Sequence, residues 1–119
     1  MEKTLSFTGS RLTEPPELPE SLRELYCNNN QLTEFSKLPE SLIELGCGNN
    51  KLTRLPELPG SLKELQCYDG IIIDDDLIKN LSKFNRIEVF IINNYRIEFT
   101  DRTIKFISND HSFEVEKIY

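Results

Sequence analysis

Three cysteines at equal spacing are the residues whose chemistry stands out first in this sequence. Cys27, Cys47 and Cys67 lie 20 positions apart, and three thiolates are enough to suggest a zinc site. Metal ligands must converge on one ion, however, whereas equally spaced residues of a repeat form a ladder that does not converge. The sequence also contains no C-x-x-C pair. We therefore expect one small buried thiol per repeat, and neither a metal site nor a bound cofactor.

Acidic residues between positions 69 and 76 raise the question of calcium binding. Asp69 and the run Asp74–Asp76 do not follow the D-x-D-x-D-G order that points alternate carboxylates at one ion. An acidic run directly before an apolar helical pattern predicts a helix N-cap instead. His111 is the only histidine, and the sequence offers it neither a nucleophile nor an orienting partner. We predict that His111 is a turn residue, that there are no catalytic residues, and that the protein is not an enzyme.

A repeat of 20 residues accounts for the spacing of the cysteines. The segment Leu18-Pro19-Glu20-Ser21-Leu22 recurs as Leu-Pro-Glu-Ser-Leu at 38–42 and as Leu-Pro-Gly-Ser-Leu at 58–62. Other positions keep the same phase, namely Leu25, Leu45 and Leu65, Asn30 and Asn50, and Leu32-Thr33 and Leu52-Thr53. A fainter N-terminal copy places Leu5, Phe7, Ser10 and Leu12 in these phases. One unit cannot bury its own leucines, so we expect about six stacked units to share a core.

Each phase of the repeat predicts a local structure. The alternation Leu-x-Cys has a period of two, which is typical of a short strand with both side chains on one face. The asparagine that follows is suited to bonding the backbone of a tight turn. The Leu-Pro-x-Leu-Pro segment cannot be helical, because each proline removes a donor and restrains the residue before it. That segment therefore predicts an extended, polyproline-like chain.

The unit L-x-x-L-x-C-x-x-N-x-L-T-x-L-P-x-L-P-x-S resembles the leucine-rich repeat family in its short bacterial-type form. It is similar to repeats of secreted bacterial effectors, and especially to those of leucine-rich repeat proteins from amoeba-infecting giant viruses. The resemblance covers residues 1–70 and implies a leucine-rich repeat solenoid of the α/β class, mostly β, with a concave face of short parallel strands and a convex side of polyproline-like segments. It also implies a host-directed adaptor. The catalytic domain of the effectors is not implied, because residues 71–119 are too few to hold it.

Residues 71–119 depart from the repeat and predict a helix followed by a β-rich C-terminal cap, within the same domain. The apolar stripe Leu77, Ile78, Leu81 and Phe84 predicts one short helix over 76–84. Phe84, Ile87 and Val89 then follow the Leu-x-x-Leu-x-Cys phase, which places Val89 inward like Cys67. A last weak copy of the repeat is Ile104-x-Phe106-x-x-Asn109.

Four strands are predicted in this C-terminal part, at Glu88–Ile92, Tyr95–Phe99, Thr103–Ile107 and Phe113–Ile118. Asn93-Asn94, Asp101-Arg102 and Asn109-Asp110 are the turn signals between them. The alternative that stays open is a small separate antiparallel meander packed on the last repeat.

Composition narrows the function classes. A chain of 119 residues holds one domain. Its 20 acidic and 14 basic residues give a net charge of −6, which argues against a nucleic-acid or anionic-membrane partner. No apolar run reaches the length of a membrane span and no signal peptide is evident. With an odd number of cysteines, these features predict a cytoplasmic protein with free thiols, in the host cytoplasm if it is viral or an effector.

The strand alternation places three columns of side chains on the predicted concave face. The columns are Thr4, Glu24, Glu44 and Glu64; Ser6, Tyr26, Gly46 and Gln66; and Thr8, Asn28, Gly48 and Tyr68. Arg23 and Lys63 are expected to soften the repulsion between the glutamates. Gly46 and Gly48 predict a bare notch flanked by Tyr26 and Tyr68, and aromatic residues around a depression are typical anchors of protein interfaces.

We therefore expect a protein-interaction module that binds a protein or peptide, preferably a basic segment, on this face. One alternative is the substrate-recognition part of an effector whose catalytic chain is separate. Another is a self-associating structural protein, because the open ends of a solenoid favour weak end-to-end stacking.

Overall fold

The computed structural model describes residues 3–35, 37–85 and 89–119. Within these ranges the chain forms one sheet of eight strands, hydrogen-bonded in chain order. The strands are β1 (Thr4–Ser6), β2 (Glu24–Tyr26), β3 (Glu44–Gly46), β4 (Glu64–Cys67), β5 (Val89–Ile92), β6 (Tyr95–Phe99), β7 (Thr103–Ile107) and β8 (Ser112–Glu116). One helix, α1 (Asp75–Leu81), lies between β4 and β5. Strands β1 to β5 pair in parallel, and β5 to β8 pair antiparallel.

The period of 20 residues sets the register of the parallel strands, as predicted. Leu25 lies between Leu5 and Leu45 in adjacent strands, and Leu45 pairs in turn with Leu65. Leu25, Leu45 and Leu65 are at most 2% exposed, so the repeated leucine is a core residue. Because side chains of a strand alternate between its faces, this register also fixes which residues lie on the opposite face.

Proline starts a turn in each of the segments that lead into β2, β3 and β4. The carbonyls of Pro19, Pro39 and Pro59 accept hydrogen bonds of 3.2, 3.2 and 3.1 Å from the amide three residues later. No helix is found in these connecting segments among the residues that the structure describes. The prolines thus reverse the chain just ahead of each strand, and the leucines around them, such as Leu38 and Leu58, are buried in the core.

The repeated asparagine ties each turn to the unit before it. The Asn30 side-chain amide donates to the carbonyls of Cys27 (3.1 Å) and Phe7 (3.0 Å), and its Oδ1 accepts the Leu12 amide at 2.9 Å. Asn50 makes the same three bonds one unit later. The predicted bonding of the turn is confirmed, and the structure adds that the same side chain reaches the preceding unit.

Asp74 caps helix α1, as the acidic run predicts. Its Oδ1 accepts the Leu77 amide at 3.1 Å, and Arg54 contacts its other oxygen at 2.8 Å. These bonds lower the pKa of the Asp74 carboxyl, and the bond from the Leu77 amide has the largest effect. The helix is shorter than the predicted 76–84, but its apolar side, Leu77 and Leu81 included, is buried as expected. In the described part of the chain, no helix is long and apolar enough to cross a membrane.

The predicted phase of β5 is wrong. Phe90 pairs with Leu65 and Ile92 with Cys67, while Val89 pairs with Glu64 and is 53% exposed. The unit that contains the helix is therefore 25 residues long rather than 22. A helix advances about 1.5 Å per residue against about 3.3 Å for an extended chain, so a helical connection needs more residues to span one unit. Ile87 lies outside the described residues.

The C-terminal strands form an antiparallel meander that continues the same sheet. A two-residue turn at Asn93-Asn94 reverses the chain after β5, and Asn93 has a left-handed φ of 57°. The turns at Asp101-Arg102 and Asn109-Asp110 are found where predicted. The weak repeat copy at Ile104 is wrong, because β7 runs antiparallel to both neighbours. Ile104 and Phe106 are nonetheless core residues.

Replacing Asn50 by alanine is expected to lower the free energy of unfolding by about 1–3 kcal/mol, because the Leu32 amide and the Cys27 and Cys47 carbonyls lose their partner. Chemical denaturation followed by circular dichroism measures this change. Asn109→Ala, in an exposed turn, is the control and should change stability by less than about 0.5 kcal/mol. Equal effects of the two substitutions would show that the Asn50 bonds do not hold the units together.

Candidate functional site

The outer face of the sheet, opposite the core leucines, carries the residues that the sequence predicts for binding. The register confirms two of the predicted columns directly, since Thr4, Glu24, Glu44 and Glu64 are paired across β1 to β4, as are Ser6, Tyr26, Gly46 and Gln66. The third column follows the strand ends, where the Gly9 amide donates to the Asn28 carbonyl and the Asn29 amide to the Gly48 carbonyl. The structure therefore brings the predicted residues together on one face.

Three carboxylates form a row across this face, at Glu24, Glu44 and Glu64. Glu24 accepts a 2.5 Å hydrogen bond from the Thr4 hydroxyl, and Glu44 accepts one from the Tyr26 hydroxyl. The bond to Glu44, with the negative charges around it, raises the pKa of Tyr26.

Arg23 and Lys63 do not relieve this row as the sequence suggests. Among the described residues, no lysine or arginine nitrogen lies within ion-pair distance of the three carboxylates. Hydroxyl groups, rather than cations, are thus the described side-chain partners of Glu24 and Glu44.

The predicted bare notch is wrong. Gly46 and Gly48 are buried, and a Cβ built on Gly46 would lie 3.2 Å from both Tyr26 Cδ1 and Asn28 Nδ2. A Cβ on Gly48 would lie 2.9 Å from Tyr68 Cδ2. The neighbouring side chains thus lean over the two glycines and fill the space that the missing side chains leave. This packing covers apolar surface of the tyrosine rings that an empty depression would leave exposed to water.

Two residues of β5 belong to the outer face, and sequence reasoning missed them. Val89 pairs with Glu64, and Ile91 pairs with Gln66 on one side. Together with Tyr68, which is 50% exposed, they form what we call the apolar patch (Tyr68, Val89 and Ile91). The segment 89–92 is Val-Phe-Ile-Ile, so it is apolar on both faces and gives no alternation from which its inward residues follow. The pairing with β4 supplies that information.

The three thiols lie on the core side and are fully buried and free. Burial raises the pKa of Cys27 to about 12. A hydrogen bond with Cys67, together with burial, raises that of Cys47. The predicted inward column is confirmed. Within the described ranges, no three His, Cys, Asp or Glu side chains are grouped so that they could hold a metal ion.

His111 closes the turn between β7 and β8, as predicted. Its carbonyl accepts the Ser108 amide at 2.9 Å, and its Nε2 lies 2.8 Å from the Tyr95 hydroxyl. Its ring also packs edge-on against Tyr95. These contacts account for the residue as part of the C-terminal aromatic cluster.

In comparisons with known proteins, no protein-family model, no curated protein and no solved structure matches the chain.

The packing of Tyr68 on Gly48 is open to a double-mutant cycle. Gly48→Ala is expected to lower the free energy of unfolding by about 1–3 kcal/mol, because the new methyl group displaces the ring. In a Tyr68→Ala background the same change should cost less, by about 0.5 kcal/mol or more. Thermal or urea unfolding of the four proteins measures the coupling. Additive effects would show that the ring does not lie over this glycine.

Proposed function

We propose that the protein is a non-enzymatic protein-interaction module built as a leucine-rich repeat solenoid, and that it binds a protein segment on the outer face of its sheet. The shared register of Leu25, Leu45 and Leu65 supports the repeat architecture, as do the asparagine bonds between units. In a stack of this kind each unit contacts only its neighbours, so the exposed sheet is a regular and extended surface. Such surfaces are suited to binding extended segments of other proteins.

The observation that carries the proposal is the junction of the glutamate row with the apolar patch. Glu64 and Val89 are direct neighbours in β4 and β5, and both are exposed. Protein interfaces combine an apolar anchor site with polar groups that set orientation. The partner that fits is a segment with one or two basic residues next to an aliphatic or aromatic side chain. Its cations would meet carboxylates that have no described ion pair, and its apolar group would cover Val89 and Ile91.

The resemblance to repeats of giant viruses and bacterial effectors supports a partner in the host cytoplasm. The free thiols of Cys27, Cys47 and Cys67 suit a reducing compartment of this kind.

The paired change Glu64→Lys and Val89→Ser is expected to abolish this binding. Peptides selected from a random display library on the wild-type protein provide the ligands, and calorimetry measures their Kd. Loss of the anchor and reversal of the charge should weaken binding by about tenfold or more. Both side chains are exposed, so the melting temperature should change little. The two rings over the glycines, Tyr26 and Tyr68, are poorer targets because their removal also affects packing.

The matched control makes the same two kinds of substitution elsewhere on the protein. It combines Glu14→Lys with Ile72→Ser, both at exposed positions outside the outer face. It should bind the selected peptides as the wild type does. Peptides enriched in basic and apolar residues, with affinity that falls as salt is added, support the proposal. Selected peptides that bind the Glu64 and Val89 variant with unchanged affinity would place the binding surface elsewhere.

A second candidate, self-association, rests on the edge strand β1. Leu5, Phe7, Leu12 and Leu18 are only partly buried, whereas their counterparts one unit later are at most 3% exposed. In the described chain β1 pairs with β2 alone, so its other edge presents unpaired backbone groups and apolar side chains.

Light scattering over a range of protein concentrations tests this candidate. If β1 docks onto a second copy, the weight-average mass should rise with concentration through the micromolar to millimolar range, because a short edge of this kind gives weak contacts. A mass that stays at the monomer value of 13.9 kDa throughout would exclude it.

A further inference from the structure

One position of the repeat differs in residue type between the copies, and the fold does not require the difference. The residue before the repeated serine is Glu20 in one copy and Glu40 in the next, but Gly60 in the third. The turn that contains it keeps its geometry, since the proline carbonyl bond is 3.2, 3.2 and 3.1 Å long in the three copies. Gly60 does not have a positive φ, and a Cβ built on it meets nothing within 4 Å. Neither the backbone nor packing therefore requires glycine, and the difference lies in the missing carboxylate.

Gly60 opens onto a groove of about 560 Å³ that is lined by cations. Arg23, Lys63 and Lys83 contribute to its wall, and Ile43, Leu62 and Phe84 supply its apolar part. Ser41, Ser61 and Asn85 complete the described lining, in which no residue is acidic. Three cations around one groove are unexpected on a chain with a net charge of −6.

Arg23 and Lys63 are separated along the wall by a distance that suits a ligand larger than one carboxylate. The Ile43 amide donates to the Arg23 carbonyl, and the Lys63 amide donates to the Ile43 carbonyl. Arg23 and Lys63 therefore lie two rungs apart on one ladder, which separates their backbones by about 10 Å. Lys83 also lines this groove, and its Nζ donates to the Leu58 carbonyl. An ammonium has three N–H groups, so two remain for a ligand.

A neighbouring groove provides an internal comparison. It has a volume of about 670 Å³ and shares Gly60 and Lys83 with the first groove, but Glu40 and Glu57 are in its wall beside Lys37. Two lysines, Lys37 and Lys83, and these two carboxylates line it. Lys83 belongs to both walls, so the cations that distinguish this side of Gly60 are Arg23 and Lys63, to which a glutamate at position 60 would have supplied a counter-charge.

We infer that the groove beside Gly60 binds a small anion with more than one negative charge, such as the phosphate or diphosphate group of a small molecule. Such an anion would offset the positive charge of the lining, because its oxygens accept from the guanidinium and ammonium groups. The volume lies in the range of small-molecule sites. Glycine at position 60 leaves the cations available, whereas the glutamate of the other copies would compete with the ligand.

Titration with sodium pyrophosphate, followed by amide chemical shifts of the ¹⁵N-labelled protein, tests this inference. Saturable shifts are expected around Gly60, Lys63 and Lys83 in the wild type, and they should weaken as salt is added. Gly60→Glu, which restores the residue of the other copies, should weaken binding about tenfold or more. Gly60→Ala is the matched control, since it fills the same open space without charge, and it should bind as the wild type does.

Melting temperatures of the two Gly60 variants show whether each is folded. Lys83→Gln removes one cation independently of position 60, and it should also weaken pyrophosphate binding. The inference is overturned if pyrophosphate causes no saturable shift, or if Gly60→Glu binds as tightly as Gly60→Ala. It is also overturned if a tetraglutamate peptide binds this groove and pyrophosphate does not, because the ligand is then an acidic protein segment. Val89→Ser, on the outer face, should leave pyrophosphate binding unchanged, which separates this site from the proposed docking surface.

Discussion

The hydrogen bonds of two side-chain amides, those of Asn30 and Asn50, are the interactions on which the regular part of the structure depends. A strand of three residues leaves its end carbonyls and the amides of the following turn without ladder partners, and a buried polar group without a partner is costly. Asn30 and Asn50 satisfy groups in their own turn and in the unit before it. Where the repeat changes, Asn93 bonds both backbone groups of Ile71 in a similar way. Adjacent turns are thereby held in one register.

That register has a consequence for the surface. If leucine stacks on leucine inside, then glutamate must stack on glutamate outside, at the inter-strand spacing of about 4.8 Å. Repulsion at such distances is on the order of 1 kcal/mol per neighbouring pair in water. Hydroxyl donors from Thr4 and Tyr26 relieve part of it. The order that stabilises the core thus imposes a charged row on the face that we propose for binding.

The sequence predicted the parts of the fold that follow from local periodicity. The four leucine strands, the buried thiols, the helix cap at Asp74 and the C-terminal turns were all evident from spacing and residue type. It did not predict the phase of β5, because the length of chain that a helix spans differs from that of an extended segment, and Val89 to Ile92 are apolar on both faces. The face of Val89 is decided only by its pairing with Glu64. One part of the candidate site was therefore invisible in the sequence.

Glycines show most clearly what a departure from a repeat can and cannot indicate. Gly46 and Gly48 suggested an empty depression, yet rings of neighbouring tyrosines cover them, so packing explains why side chains are absent there. Gly60 has the same signature in the sequence, but the space above it is open and its backbone is unstrained. A missing side chain is informative about ligands only after packing and backbone conformation have been excluded as its cause. By that criterion Gly60, beside Arg23 and Lys63, is the glycine that indicates a ligand.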